Sequence, residues 1–163
     1  MQATPTKGTA VTAGITEQIN QDQADRERFG FLVNPDLTYR RIVFDDDTAR
    51  ETLRGMTGEV VDVAFDQDGN RFHAIFRPDA VQHGAEPNPV ASLARNTAET
   101  DNPEFLTDPT RAISGPVIFT ARDGASVDER TIDKVLQAIR AVENYRDDNA
   151  EEFELWRNAV KNR

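Results

Sequence analysis

Residues 115–145 read GPVIFTARDGASVDERTIDKVLQAIRAVENY and hold the best-specified strand, turn and helix of the chain. Val117, Ile118 and Phe119 form a short apolar run behind a Gly-Pro break, the pattern of a buried strand. Asp123-Gly124 supplies a turn. Ser126 stands three residues before Glu129, the spacing of a capping box in which hydroxyl and carboxylate each take an orphan amide of the first turn. Beyond it Ile132, Val135, Leu136, Ile139 and Val142 share one helical face, opposite Asp133, Lys134, Arg140 and Glu143. An apolar helical face must be covered, and the strands are the large apolar surface on offer.

Upstream, residues 59–66 alternate, with Val61, Val63 and Phe65 on one side. Residues 71–77 alternate again around Phe72, Ala74 and Phe76, after an Asp68-Gly69 turn, which together predict a β-hairpin closed by Pro78. The run TYRRIVF at 38–44 predicts another strand, with Tyr39, Ile42 and Phe44 inward and Tyr39-Arg40-Arg41 suited to a sheet edge. Phe29 to Val33 predicts a first strand, broken by Asn34-Pro35-Asp36. Asp45-Asp46-Asp47 ends the 38–44 strand. Thr48 and Glu51 have capping-box spacing, and a short helix follows with Ala49, Leu53 and Met56 inward, stopped by Gly55 and Gly58.

From residue 79 to 113 the apolar content falls. His83-Gly84 and Glu86-Pro87-Asn88-Pro89 read as loop, Val90, Leu93 and Ala94 as a helix of two or three turns, and NTAETDNPEFLTDPTR (96–111) as a long acidic loop. A last helix begins at Asn149, with Glu152 at capping distance and Phe153, Trp156 and Val160 on one face. Residues 1–28 are polar, with Ile15 and Ile19 one helical turn apart, and predict a weakly ordered or helical extension, the helix running over residues 16–28. The organisation is therefore an extension at 1–28, an α+β domain at 29–145 and a C-terminal helix at 146–163. The fold class is a small, mainly antiparallel sheet with a central hairpin, covered by helices and ending in a helical pair.

Composition narrows the function. With 37% hydrophobic and 29% charged residues, 163 residues supply one modest core. No cysteine is present, which excludes thiol catalysis, disulfides and cysteine-bound zinc. No apolar run reaches membrane-spanning length and the N-terminus lacks a signal-peptide layout, so a cytoplasmic protein without a membrane partner is expected. The formal net charge of −10 is spread along the chain and densest in residues 41–80. Direct binding to nucleic acid is disfavoured, since lysine and arginine supply most of that affinity. Such a surface suits either simple solubility or a basic protein partner.

The chemistry-bearing residues are few. Asp66, Asp68 and Asn70 alternate as in a calcium loop, but the glycine falls two residues early and no glutamate closes the loop. Asp45, Asp46 and Asp47 are adjacent and diverge, which suits a helix N-terminus better than a metal site. His73 and His83 are the two histidines; His73 is expected in solvent or under a helix and His83 in a loop. Phosphate-binding glycine loops are absent from the sequence. No catalytic, cofactor-binding or metal-ligating residue is assigned, and no cofactor.

Three segments, in order, are EVVDVAFDQDGNRFHAIF (59–76), GAEPNPVASLARN (84–96) and ISGPVIFTARDG leading into SVDERTIDKVLQAI (113–139). They resemble an uncharacterised family of small accessory domains carried by phages and plasmids. The resemblance covers roughly residues 38–142 and leaves 1–37 and 146–163 outside. It implies a mobile-element setting and carries no site residue.

The expected function is that of a non-catalytic accessory protein that binds a host protein with a basic surface, as a nucleic-acid mimic of the anti-restriction or anti-CRISPR type. Candidate contact residues are Asp45, Asp46 and Asp47 with Glu99, Asp101, Glu104 and Asp108 of the acidic loop. Phe153 and Trp156 are either the docking face of the last helix or an interface. The alternatives are a homo-oligomer assembled through that helix and a metal-dependent hydrolase using Asp46.

Overall fold

The computed structural model describes residues 27–53, 58–102 and 108–162. Five strands form one sheet: β1 Arg28–Val33, β2 Tyr39–Phe44, β3 Glu59–Val63, β4 Phe72–Phe76 and β5 Val117–Thr120. Among the described residues four α-helices accompany them: α1 Asp46–Leu53, α2 Pro89–Thr100, α3 Glu129–Asp148 and α4 Ala150–Lys161. The spatial order is β2-β1-β5-β4-β3, and every pairing is antiparallel. This is the expected α+β class. The latest strand in sequence, β5, takes the central position between the two hairpins, and all four of its residues are buried.

Strand alternation sorts the core into two layers. One sheet face carries Phe31, Val33, Val63, Ala74, Phe76, Val117 and Phe119, packed against Val90, Ala91 and Ala94 of α2 and Ile132, Val135, Ile139 and Val142 of α3. The other carries Leu32, Phe44 and Ile118 against Ala49 and Leu53 of α1. The predicted apolar stripe of α3 is thus the buried one, with Leu136 partly covered. Burial of each such side chain stabilises the fold by about 1.5–3 kcal/mol. The Val61/Val63/Phe65 and Phe72/Ala74/Phe76 faces of the β3–β4 hairpin meet that first layer as expected.

Local details differ in informative ways. The N-cap of α3 is Asp128, whose carboxylate accepts the Thr131 N–H at 2.8 Å and the Thr131 hydroxyl at 2.7 Å. Ser126 instead accepts the Phe29 backbone N–H at 3.0 Å, so its hydroxyl ties the helix entry to β1. At α1 the reciprocal cap is Asp45 with Thr48, not Thr48 with Glu51. Asn149 makes no side-chain cap to α4, and Glu152 accepts the Tyr145 hydroxyl at 2.9 Å. Tyr39 is 51% exposed: alternation sets it on the face opposite Ile42 and Phe44, at the end of the edge strand β2, where its ring meets Phe31. β1 includes Arg28, so the sheet starts one residue before the expected boundary and that residue is not helical. Glu27 is not helical either; residues 16–26 of the predicted N-terminal helix, with Ile19, and Ile15 just before it lie outside the described residues, as do Gly55, Met56, Phe105 and Leu106. No described helix is long and apolar enough to cross a membrane.

Candidate functional site

The acids singled out in the sequence have separate local roles. Asp45 caps α1, and the Thr48 N–H, the foremost of several hydrogen bonds, holds its carboxyl below the usual range. Asp46 pairs with Arg28 at 3.2 Å and Asp47 with Arg50 at 2.9 Å, while both sit at the favourable N-terminus of α1. Glu99 pairs with Arg111 and, at 3.5 Å, with Arg95; the Arg111 hydrogen bond leads the causes that lower its pKa. Asp101 is the left-handed C-cap of α2, and its carbonyl accepts from the Gln67 amide at 2.7 Å. Asp108 caps a 3-10 turn through the Thr110 N–H at 3.0 Å. Glu104 lies outside the described residues.

These acids are also divided in space. Asp45–Asp47 belong to α1, on the second face of the sheet, whereas Glu99, Asp101 and the Asp108 turn lie at the end of α2 on the first. The fold does not join them into one surface.

Phe153 and Trp156 point inward. Trp156 is 5% exposed and clusters with Val160, Ala112 and Val81, and Phe153 packs against the main core. Glu86 fastens the same helix, accepting from Arg157 and Lys161 at 2.5 Å each. Those two cations, Lys161 foremost, hold its carboxyl below the usual range. The stripe is the docking face of α4.

The concentration of unspent charge lies elsewhere, at the corner between α3 and α4. Asn149 leaves helical geometry there, with its N–H still donating to the Tyr145 carbonyl at 2.8 Å. Around it Asp147, Asp148, Glu151, Glu152 and Glu154 are all exposed, in the run DDNAEEFEL at 147–155. Leu155, 71% exposed, has the highest exposure of any large hydrophobic among the described residues. Glu151, Glu154, Leu155 and Asn158 share one side of α4 and line a shallow depression. Nearby countercharge is limited: Arg146 lies 3.9 Å from Asp147, and Arg157 divides itself between Glu154 and Glu86. The signal was present in sequence as five acids in eight residues, but reading Glu152 as a cap and Phe153/Trp156 as the notable stripe passes over it.

A second cleft, of about 480 Å³, opens on the α1 face of the sheet and includes Arg28, Asp46, Arg50, His73, Thr120 and Asp123 in its walls. Asp62, His73 and Thr120 are neighbours in register on β3, β4 and β5. His73 is half-buried in this wall, not free in solvent. Its Nε2 is 3.5 Å from Asp62, beyond good hydrogen-bond length, and the Thr120 hydroxyl donates to the Ala121 carbonyl, not to the imidazole. The row lacks the tight base-to-nucleophile contact of a hydrolytic triad. His83 meets Asp79 at 3.2 Å on the surface, beside Arg77. Asp66 and Asp68, the calcium-like pair, both hold the Lys134 ammonium. Comparison with protein-family models, with curated proteins and with solved structures finds no match for this chain.

Proposed function

We propose that this is a non-catalytic binding protein that engages a basic surface of another protein through the acidic corner between α3 and α4. The observation that carries the reading is the pairing of an exposed leucine with neighbouring acids: Leu155 stands exposed beside Glu151 and Glu154 on α4, whose start follows directly on the exposed Asp147 and Asp148 at the end of α3. A single apolar anchor within a polar, charged rim is the anatomy of a protein interface. Excess negative charge speeds encounter with a cationic partner and discriminates against acidic ones. In the mobile-element setting implied by the resemblance, the partner is a host protein that binds nucleic acid, and the corner competes for its basic groove. Here the contacts move from Asp45, Asp46, Asp47, Glu99 and Asp108, whose carboxylates cap or pair within the fold, and from Asp101 and Glu104, to residues 147–155.

The test is a pulldown from a bacterial lysate, followed by binding of the purified partner across a salt series and in competition with duplex DNA. Affinity falling by about tenfold or more between 50 and 300 mM salt, with DNA displacing the protein, supports the reading. Affinity indifferent to salt and to DNA overturns it. Self-association through the same exposed Leu155 is the other reading this surface favours, and sedimentation of the isolated protein separates the two.

A further inference from the structure

The groove between α2 and α3 has a composition unlike the acidic corner and is independent of it. It encloses about 340 Å³ over the end of β3, within the size range of small-molecule sites. Phe65, Val90 and Leu93 give it apolar walls, and Ala94, Ala138 and Ala141 line it where larger side chains would close the gap that a packed interior does not tolerate. Lys134 and Asp66 bring polar groups into the lining.

The chemistry of that ion pair selects the ligand. Lys134 Nζ, on a side chain only 14% exposed, is held by Asp66 and lies 3.5 Å from Asp68. An ammonium has three donors, so these two carboxylates leave one for a further acceptor. Asp66 and Asp68 outnumber Lys134, so the cluster carries a net charge of −1 and repels an anion, while a cation has to displace the Lys134 ammonium from the two carboxylates. An uncharged acceptor meets neither penalty. Gln137, three residues along α3, adds an amide to the same lining.

We propose that this groove binds a small neutral amphiphile: an aromatic or aliphatic body of about ten to fifteen heavy atoms carrying one amide or carbonyl that accepts from Lys134. The probe is 4-phenylbutanamide, with 4-phenylbutanoate and 4-phenylbutylammonium as charged controls, followed by methyl NMR of Val90, Leu93, Ala94 and Ala138. The amide is expected to bind with a Kd of about 1 mM or tighter and to shift those methyls, with each charged control about tenfold weaker. Ala138→Leu, and separately Ala141→Leu at the groove rim, should abolish the shifts while the protein stays folded. Lys134→Met should erase the preference for the amide over butylbenzene. No methyl shift with several millimolar amide, binding that survives both leucine variants, or equal binding of the charged controls overturns the proposal.

Discussion

The Asn88 side-chain amide donates to the Gly115 carbonyl at 3.0 Å, across 27 residues of sequence. The same nitrogen donates to the Val33 carbonyl at 3.0 Å, while the amide oxygen accepts the Ala91 N–H and so caps α2. One fully buried side chain therefore joins the end of β1, the approach to β5 and the start of α2. Asn88→Ala removes one hydrogen bond from each of three backbone groups in the interior. A loss of about 2–4 kcal/mol of stability is expected. Asn88→Asp retains the cap acceptor but loses both donors and should also destabilise. Urea unfolding that showed Asn88→Ala within about 0.5 kcal/mol of wild type would remove this residue from the centre of the fold.

Trp156 and Leu155 are adjacent in sequence and opposite in role. Trp156→Ala opens a cavity against Ala112 and Val160 and should cost about 3–5 kcal/mol. Leu155→Ala removes an exposed side chain and should change stability by less than about 0.5 kcal/mol. Thermal melts of the two variants decide it. A Trp156→Asp protein that stayed fully folded and merely changed oligomeric state would make the stripe an interface after all.

How much of this was legible follows from how local each signal is. Val117–Phe119 and the Ile132/Val135/Ile139/Val142 stripe are period patterns, complete within a dozen residues, and both emerge where the pattern puts them. Alternation likewise assigns the faces of β3 and β4. Applied to β2 it places Tyr39 on the face opposite Ile42 and Phe44, so the three cannot share one buried side, and at the end of an edge strand Tyr39 is half exposed. The cap of α3 is ambiguous in sequence because Ser126–Glu129 and Asp128–Thr131 have the same spacing; the distant Phe29 N–H claims Ser126 and resolves it. Asn88-Pro89 looks like ordinary loop punctuation, since nothing local reveals that Val33 and Gly115 converge on it. The pairing of the acid candidates is hidden for the same reason: the charge of Asp46 and Glu99 is visible in sequence, but its arginine partner 18 or 12 residues away is not.

Asp128 gives a pH signature. The Thr131 hydroxyl first, and then its N–H, hold the Asp128 carboxyl below the ordinary value of 3.8. A carboxyl lowered in the folded state contributes stability that is complete above the unfolded pKa and lost as pH falls through the folded one. Asn caps without titrating. The Tm advantage of wild type over Asp128→Asn should therefore shrink between about pH 6 and about pH 2.5, other carboxyls cancelling in the difference. A difference constant over that range contradicts the assignment.

Gly30 has no room for a side chain. A Cβ there would stand 2.6 Å from Ile118 Cγ2 and 2.8 Å from the Phe44 ring, in the middle of the second core layer. Gly30→Ala should destabilise by about 1–3 kcal/mol through overpacking. Its chevron or equilibrium melt should show a lower midpoint with an unchanged slope.

The two acid groups can be set against one another directly. Asp46 and Asp47 pair with Arg28 and Arg50 on the α1 face of the sheet, opposite the face that α3 covers, so neutralising them leaves the charge of the α3–α4 corner itself intact. Asp147→Asn, Asp148→Asn and Glu151→Gln remove charge from exposed positions, of which Asp147 has Arg146 at 3.9 Å. The triple variant should weaken binding to a basic partner by about tenfold or more at low salt and flatten the salt dependence. Asp46→Asn with Asp47→Asn should leave both the affinity and its salt slope close to wild type. Leu155→Ala should weaken binding to a similar degree at every salt concentration, because an apolar anchor is not screened. If instead the Asp46/Asp47 pair proves decisive, their arginine partners must release them on binding, and the contact surface is the α1 face of the sheet.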